Sequence, residues 1–387
     1  MGMIRCTKCG QVHAITRSGV VRGRQRYHCK DCGIYFSIDK APAVSLKSTH
    51  SATILDIAKA LNISKSTVSR ALQGHKDIKE ATRKAVLNMA KRLDYQPNLH
   101  AKSLVRSKSN TIGIIVPEFV NSFFPTVIIG AQQIATEAGY NVIIMQSQES
   151  VRTEVANTQV LLASRVEGVI ISMTRETSVF DHFRAFERHG IPIVFFNRIC
   201  EKIEASRVMV NDYEGAYNAV EHLILNGYKK IAHISGPSNL RLSQNRIKGY
   251  LDALKAHKLP VNEKWIVHHD LTRENAWASA QKLLTARSRP DAIFCVNDPC
   301  AIQTLLYAKM VGLRVPDQLG IVGFSDDPIS SIIEPHLTTV SQPVSEMGKI
   351  AMSMLLDQIT QGPGNYTPVH TKLPTKLIIR QSSVRPR

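Results

Sequence analysis

Thr53-Ile-Leu-Asp-Ile-Ala-Lys-Ala-Leu-Asn-Ile-Ser-Lys-Ser-Thr-Val-Ser-Arg-Ala-Leu72 decides how this chain is read. Ile57, Ala58 and Leu61 fall on one face of a helix over 55–61. Asn62-Ile63 supplies a tight turn, and Ser64 is placed to cap a second helix in which Val68 and Leu72 repeat at helical spacing. That phase leaves Lys65, Ser66, Ser69 and Arg70 pointing outward. A helix-turn-helix puts the first turn of its second helix against base edges in the DNA major groove. Arg70 is long enough for a bidentate contact to guanine. A third helix, over about 80–93, is expected to brace the pair through Ala81, Ala85, Leu87, Met89 and Leu93. An ordinary helical bundle is the competing reading, and the turn spacing with outward basic side chains speaks against it.

The charge is distributed to match. Of the net +18, residues 1–110 hold 21 Lys/Arg against 6 Asp/Glu, whereas residues 111–387 hold 28 against 25. A near-neutral body with a basic N-terminal arm is the electrostatic footprint of a nucleic-acid binder; a solvated basic surface or a membrane-surface patch is the alternative. No apolar run is long enough to span a membrane. Residues 1–26 lack the apolar core of a secretory leader, so a cytoplasmic location is expected. Seven Cys in such a chain point to metal or free thiols over disulfides.

Four of those Cys form Cys6-Thr-Lys-Cys9 and Cys29-Lys-Asp-Cys32. Each pair sets two thiolates on one tight turn, and two such knuckles close a tetrahedron around Zn²⁺. Gly10 and Gly33 follow the second Cys of each pair, where the chain must bend past the metal. A redox dithiol is the rival reading, but it needs no second pair. Residues 1–40 are therefore expected to be a zinc ribbon that folds only with its metal. His13 and His28 read as bystanders. The ribbon, notably Arg26-Tyr-His-Cys-Lys-Asp-Cys32, resembles the zinc ribbons of insertion-element transposases, which implies DNA contact; a structural knob or a protein-docking module stays open. Residues 41–52 read as a linker.

A second resemblance covers residues 53–387. Asp56-Ile-Ala58, Ser66-Thr-Val-Ser-Arg70, Tyr95-Gln-Pro-Asn98, Ala101-Lys-Ser-Leu104 and Ile112-Gly-Ile-Ile-Val116 are together similar to the lactose-repressor (LacI/GalR) family. The resemblance implies a hinge helix over 98–105 that orders on DNA, with Asn98, Ala101 and Lys102 in contact and Leu104 wedged into the minor groove. Residues 53–97 are then the DNA-binding domain, 98–110 the hinge and linker, and 111–387 the effector-binding and dimerisation domain.

From Thr111 onward, strand-like runs alternate with helix-length segments: 112–116, 141–145, 168–172, 192–196, 230–235, 292–296 and 320–324. This alternation predicts parallel sheets of βαβ units, and 277 residues suit two lobes with a cleft between them. The fold class expected is multidomain: a small four-cysteine zinc ribbon, an all-α helix-turn-helix domain and, by the resemblance, a two-lobed α/β domain of periplasmic-binding-protein type. Small ligands bind such sheets at strand C-termini. Asn197 and Arg198, Arg246, Asn297 and Asp298, and Ser325 and Asp326 all follow predicted strands, and Phe123-Phe124 offers an apolar face for a sugar ring. Each alone is more often a cap or turn residue; the recurrence after four strands sets them apart. Where the family commonly has Asp after a Gly-aromatic pair, this chain has Ser325, with Asp326 next, and Leu271 stands where some members place an indole. Arg198 and Arg246 together suit a carboxylate, so the expected effector is a sugar or sugar acid. Cys200, Cys295 and Cys300 lack metal spacing, His268-His269 reads as strand-end surface, and Trp265 and Trp277 read as packing residues.

These features predict a homodimeric repressor on a palindromic operator, with a small-molecule effector, no membrane and no enzymatic activity. The alternatives are a sugar receptor without DNA function, and a transposase-related DNA-processing protein. The acids of the arm, Asp31, Asp39, Asp56, Asp77, Glu80 and Asp94, form no cluster suited to two catalytic metals.

Overall fold

The structure is a computed structural model that describes residues 5–21, 24–37, 52–96 and 109–385. Contacts divide the chain into two compact units, Met1–Leu99 and His100–Arg387. Asn98, Ala101, Lys102 and Leu104, the expected hinge contacts, lie outside the described residues, as does most of the 41–52 linker.

The N-terminal segment is a three-stranded antiparallel sheet of β1 (Ile15–Val21), β2 (Arg24–Cys29) and β3 (Tyr35–Ser37), with β2 in the middle. Its core is Cys6, Cys29 and Phe36, backed by Ile15, Tyr27, Cys32 and Ile34. So few apolar side chains bury too little surface to offset chain entropy without a further tie.

Three helices follow: α1 (Ile54–Leu61), α2 (Lys65–Leu72) and α3 (Glu80–Arg92). Thr53 begins α1 with a capping box: its N–H and its hydroxyl both donate to Asp56 Oδ2, at 2.8 and 2.7 Å. Asn62 ends the helix at φ 52°, the left-handed turn that short polar side chains tolerate. Ser64 Oγ accepts the Thr67 N–H at 3.0 Å and starts α2 as expected. Ile57, Ala58, Val68, Ala71 and Val86 form the buried core, with Leu61, Leu72, Met89, Ala90, Leu93 and Tyr95 packed around them. The bracing face of α3 differs from expectation. Ala81, Ala85 and Leu87 are exposed, and the inward stripe runs through Val86, Met89, Ala90 and Leu93. That set follows the i, i+3, i+4, i+7 spacing of one helical face, whereas Leu87 sits one residue out of phase.

The second unit holds two six-stranded sheets. The first lobe has the order β14-β8-β7-β6-β4-β5, all parallel, from β4 (Thr111–Val116), β5 (Asn141–Gln146), β6 (Gly168–Ile171), β7 (Ile193–Phe196), β8 (Ser206–Val210) and β14 (His370–Leu373). The second has the order β10-β9-β11-β12-β13-β15, from β9 (Ile231–Ser235), β10 (Ile266–His268), β11 (Ala292–Cys295), β12 (Gly320–Ser325), β13 (Thr338–Ser341) and β15 (Lys376–Ile378). Only β15 runs antiparallel there. The helices are α4 (Phe123–Glu137), α5 (Val151–Ala163), α6 (Asp181–Arg188), α7 (Asp212–Leu225), α8 (Arg241–Ala256), α9 (Arg273–Leu284), α10 (Asp298–Met310) and α11 (Val344–Gln361).

All seven predicted strands are present, and β8, β10, β13, β14 and β15 are additions. The chain crosses between lobes three times: after β8, between β13 and α11, and between β14 and β15. Three short crossovers at one end of both sheets leave the strand C-termini facing a shared cleft. Trp265 and Trp277 pack as expected, the indole of Trp277 edge-on to Tyr307. His269 is not surface: it is 8% exposed, and its Nδ1 accepts the Leu271 N–H at 3.2 Å.

Candidate functional site

The first candidate is the outer face of α2. Lys65, Ser66 and Arg70 are exposed and Ser69 is half-buried, because Val68 and Ala71 take the inward positions. Ser66 Oγ lies 2.8 Å from Ser64 Oγ, and Ser69 Oγ accepts from Gln73 Nε2 at 3.3 Å. Arg70 is not idle: its guanidinium pairs with Asp77 in the loop before α3. Lys65 and Ser66 stand in the first turn, where backbone N–H groups and outward side chains favour anionic partners.

The second is the interlobe cleft, of about 1170 Å³. Phe123, Phe124, Asn197, Arg198, Arg246, Asn297, Ser325 and Asp326 all line it. Phe124 is 2% exposed and stacks edge-on to Phe123 and Phe196, so Phe123 presents the apolar face while Phe124 supports it. Arg246, 3% exposed, donates from Nε and Nη2 to Asp212 Oδ1 at 2.8 and 2.7 Å and from Nη1 to the Val296 carbonyl; its guanidinium lies 3.5 Å from the Phe324 ring centre. Burial pushes the Asp212 carboxyl up and the Arg246 guanidinium down, and each charge offsets part of the other's shift. Arg198 donates from Nη1 to both Glu149 oxygens at 2.7 and 2.8 Å. Ser325 and Asp326 take φ of 126° and 54°, an unusual turn that brings both side chains to the rim. Asp326 Oδ1 accepts from Arg380 at 2.7 Å, and Ser325 Oγ accepts from Gln342 at 3.0 Å.

Asp298 is a correction. It is fully buried and absent from the cleft lining. Its carboxylate accepts from Thr339 Oγ1 at 2.5 Å, Ser330 Oγ at 2.7 Å and the Asp327 N–H at 2.7 Å, so it ties the 327–330 loop to β13. Asn297 caps α10 by accepting the Cys300 N–H at 3.0 Å while still facing the cleft.

Sequence reading missed much of the polar lining, including Glu118, Gln146, Gln148, Glu149, Arg175, Thr272, Arg273 and Asp327. Gln146 ends β5, Gln148 and Glu149 follow it, and Arg175 follows β6, so the strand-end rule that found the others would have found these four. The lobes are joined by Ser122 Oγ, which donates to Asp327 Oδ2 at 2.9 Å, by Arg175 Nη1, which donates to the Asp270 carbonyl at 2.5 Å, by Asn239 Nδ2, which donates to the Arg175 carbonyl at 2.8 Å, and by an Arg241–Glu201 ion pair at 3.6 Å.

The third is the sulfur cluster. The Sγ atoms of Cys6, Cys9, Cys29 and Cys32 all lie within 4.8 Å of one another. The knuckles match: Gly10 N–H donates to Cys6 O at 3.0 Å and Gly33 N–H to Cys29 O at 2.9 Å, with φ of 74° and 69° at the two glycines. For Cys6, burial works against the thiolate, but the N–H groups of Cys9 and Lys8 and the neighbouring thiols bring it down to about 6. Burial and the other three thiols push Cys32 up to about 12. Four thiolates this close are stable together only around a cation, and the donor set suits a metal that prefers sulfur.

The comparisons agree with this arrangement. Residues 53–98 match the family described as bacterial regulatory proteins, lacI family, and residues 220–383 match the periplasmic binding protein-like domain. Catabolite control protein A of Priestia megaterium is 32% identical over 332 residues, covering 86% of this chain and 99% of that protein. The probable HTH-type transcriptional repressor ExuR of Bacillus subtilis (strain 168) is 36% identical over 317 residues, 80% of this chain and 92% of that protein. A solved structure, the transcriptional regulator CelR-cellobiose complex, superposes with a TM-score of 0.66 at 26% identity, over 86% of this chain and 99% of that one. The fold and α2 together define a DNA-binding transcriptional regulator, not an enzyme. The chain belongs to the lacI family of bacterial regulatory proteins.

Proposed function

We propose that this regulator is a homodimeric repressor of a palindromic operator whose DNA affinity is set by a small sugar in the interlobe cleft. Arg246 carries the reading: it is a donor held by Asp212 and Phe324 in a cleft that Asn197, Asn297, Ser325 and Gln148 also line, groups with the donors and acceptors that sugar hydroxyls need. A neutral sugar fits better than a sugar acid. Both arginines suited to a carboxylate already face one, Asp212 and Glu149. The similar regulator solved as a complex with cellobiose supports the ligand class. Lys65, Ser66, Ser69 and Arg70 read the operator. Asn98, Ala101, Lys102 and Leu104 are assigned to the hinge by the family resemblance. An effector shifts operator affinity only by its different affinity for the two lobe arrangements, and the Ser122–Asp327 and Arg175–Asp270 contacts are what it would strengthen or break.

The test is titration of neutral sugars and uronates into the full chain on a duplex selected from a random library. A neutral sugar that changes duplex affinity at least tenfold, and no longer does so in Arg246→Ala, is the expected result. No response to any sugar, or a response that survives the substitution, overturns the reading.

In the ribbon, Cys6, Cys9, Cys29 and Cys32 would hold structural Zn²⁺, supplying the folding energy that its small core lacks. One zinc per chain is expected, lost in Cys29→Ser. The DNA-binding role places the protein in the cytoplasm; among the described residues no helix is long and apolar enough to cross a membrane.

A further inference from the structure

The strands of the ribbon alternate. Tyr27 and Cys29 face the sulfur cluster, so Arg26 and His28 face the other way. On that outer face His28 is opposite both Tyr35 and Thr16. The guanidinium of Arg26 lies 4.4 Å from the centre of the Tyr35 ring, and the imidazole of His28 stacks on the same ring at 4.4 Å and 28°. Tyr35 is 51% exposed, and Arg26 and Thr16 are exposed. This strip of stacked donors covers nothing among the described residues.

The surrounding charge has one sign. Residues 5–37 carry seven Lys/Arg and a single acid, Asp31, which lies in the second knuckle. A zinc tetrathiolate has a formal charge of −2, so a net positive charge remains with the metal in place. We propose that the Arg26–Tyr35–His28 strip is a second DNA contact, gripping the phosphate backbone of the duplex that flanks the operator. The proposal rests on the zinc reading of the cluster beneath the strip.

The chemistry favours duplex phosphates over stacked bases. The Tyr35 ring is already in contact with Arg26 and His28, which takes up ring surface that a base would need and sets two nitrogen-bearing side chains beside a phenol. Donors held in place by stacking lose little freedom on binding. Such contacts position a protein on DNA without reading sequence. The tether suits this role. From Ser37 to Ala52 the chain has 15 steps, at most about 3.6 Å each, so the ribbon reaches under about 55 Å from the start of the helix-turn-helix unit. That is roughly 15 base pairs at 3.4 Å per pair. With the reading helix bound, the ribbon meets flanking DNA at high effective concentration.

The test uses the full chain and a duplex that it selects from a random library, either with about 20 base pairs of flank on each side or trimmed to the palindrome. The wild type is expected to bind the flanked duplex on the order of tenfold more tightly, with a log-affinity against log-salt slope steeper by about one per added phosphate contact. Arg26→Ala/Tyr35→Ala removes most of that difference, leaves binding to the trimmed duplex unchanged and retains zinc. If that pair loses zinc, the single exposed substitution Arg26→Glu takes its place. Equal affinity and slope on both duplexes for the wild type overturns the proposal, as does a zinc-loaded variant that keeps the flank effect; a ribbon that docks protein gives this result. A wild type without zinc overturns the metal reading separately, and the flank comparison then still judges the strip.

Discussion

Arg246 and Arg70 each face an aspartate, but Arg246 is 3% exposed and the Arg70 side chain is 52% exposed. Three nitrogens of Arg246 are used inside the protein, by Asp212 and the Val296 carbonyl, and Phe324 covers the guanidinium. Removing either charge of such a pair leaves the other stranded in a low dielectric. The Arg70–Asp77 pair stands in water, where screening and side-chain entropy cancel most of its Coulomb gain. The same two side chains thus make a fixture in the cleft and an exchangeable contact on the reading helix. On the proposed reading, Arg70 would trade Asp77 for a base edge or phosphate at little cost, whereas Arg246 would keep Asp212 and meet an effector only through an edge left over.

The largest effect that separates the two pairs is Arg246→Ala, which is expected to lower the stability of the two-lobed unit by about 3–5 kcal/mol in urea unfolding. A loss below about 1 kcal/mol would place this pair among the surface ones. Next comes Asp298, a buried carboxylate held by hydroxyl and N–H partners. Burial holds it up at about 6, with Thr339, Ser330 and the Asp327 N–H lowering it only in part. Its folded value lies above its ordinary 3.8. The stability it contributes is therefore full below about pH 4 and lost as pH rises through about 6, on the order of 3 kcal/mol. His233 and His269, lowered by burial to about 3 and 4, act in the opposite sense and lose their contribution as pH falls below about 6.5. The comparison to make is therefore Asp298→Asn against wild type: the variant should gain relative stability from pH 4 to pH 6. A constant difference across that window would show that burial does not raise this acid.

A smaller effect is one of specificity. Glu149→Gln leaves Arg198 without its carboxylate, so calorimetry should show the preference between a neutral sugar and its uronate moving toward the acid by about tenfold, the scale of one charged hydrogen bond. An unmoved preference would mean that Arg198 does not meet the ligand. Smallest of all, Asp77→Ala should change stability by less than about 1 kcal/mol and operator affinity by no more than about fivefold, upward. A collapse of binding instead would make Asp77 a positioning residue and end the contrast.

The sequence made the reading helix legible because its signals are local. Ser64 caps, Asn62 turns, and Val68 repeats, all within one turn or two of each other. The strand-end sites were legible for a similar reason: a polar pair after an apolar run marks a rim. Direction was not legible. Asn297 and Asp298 are adjacent, yet one faces the cleft and the other reaches Thr339 and Ser330, whose proximity only the folded sheet creates. Short strands also escaped. Thr338–Ser341 and His370–Leu373 are four residues each, with polar side chains that read as loop. On α3, Met89 and Leu93 face inward as expected but Ala81, Ala85 and Leu87 do not, since alanine does not distinguish an inner face from a good helix former.

The three crossovers have a consequence for synthesis. The first lobe is nearly complete at Val210, yet α11, whose Met347, Ala351 and Leu355 sit in its core with Ile112, Ile114 and Val127, begins only at Val344. At roughly 5–20 residues per second, a ribosome needs on the order of ten seconds to supply that helix. During that interval the DNA-reading unit has all of its chain, while the lobe behind it waits with an apolar face uncovered. A nascent chain stalled in that window would present its helix-turn-helix while the effector cleft behind it was still unfinished.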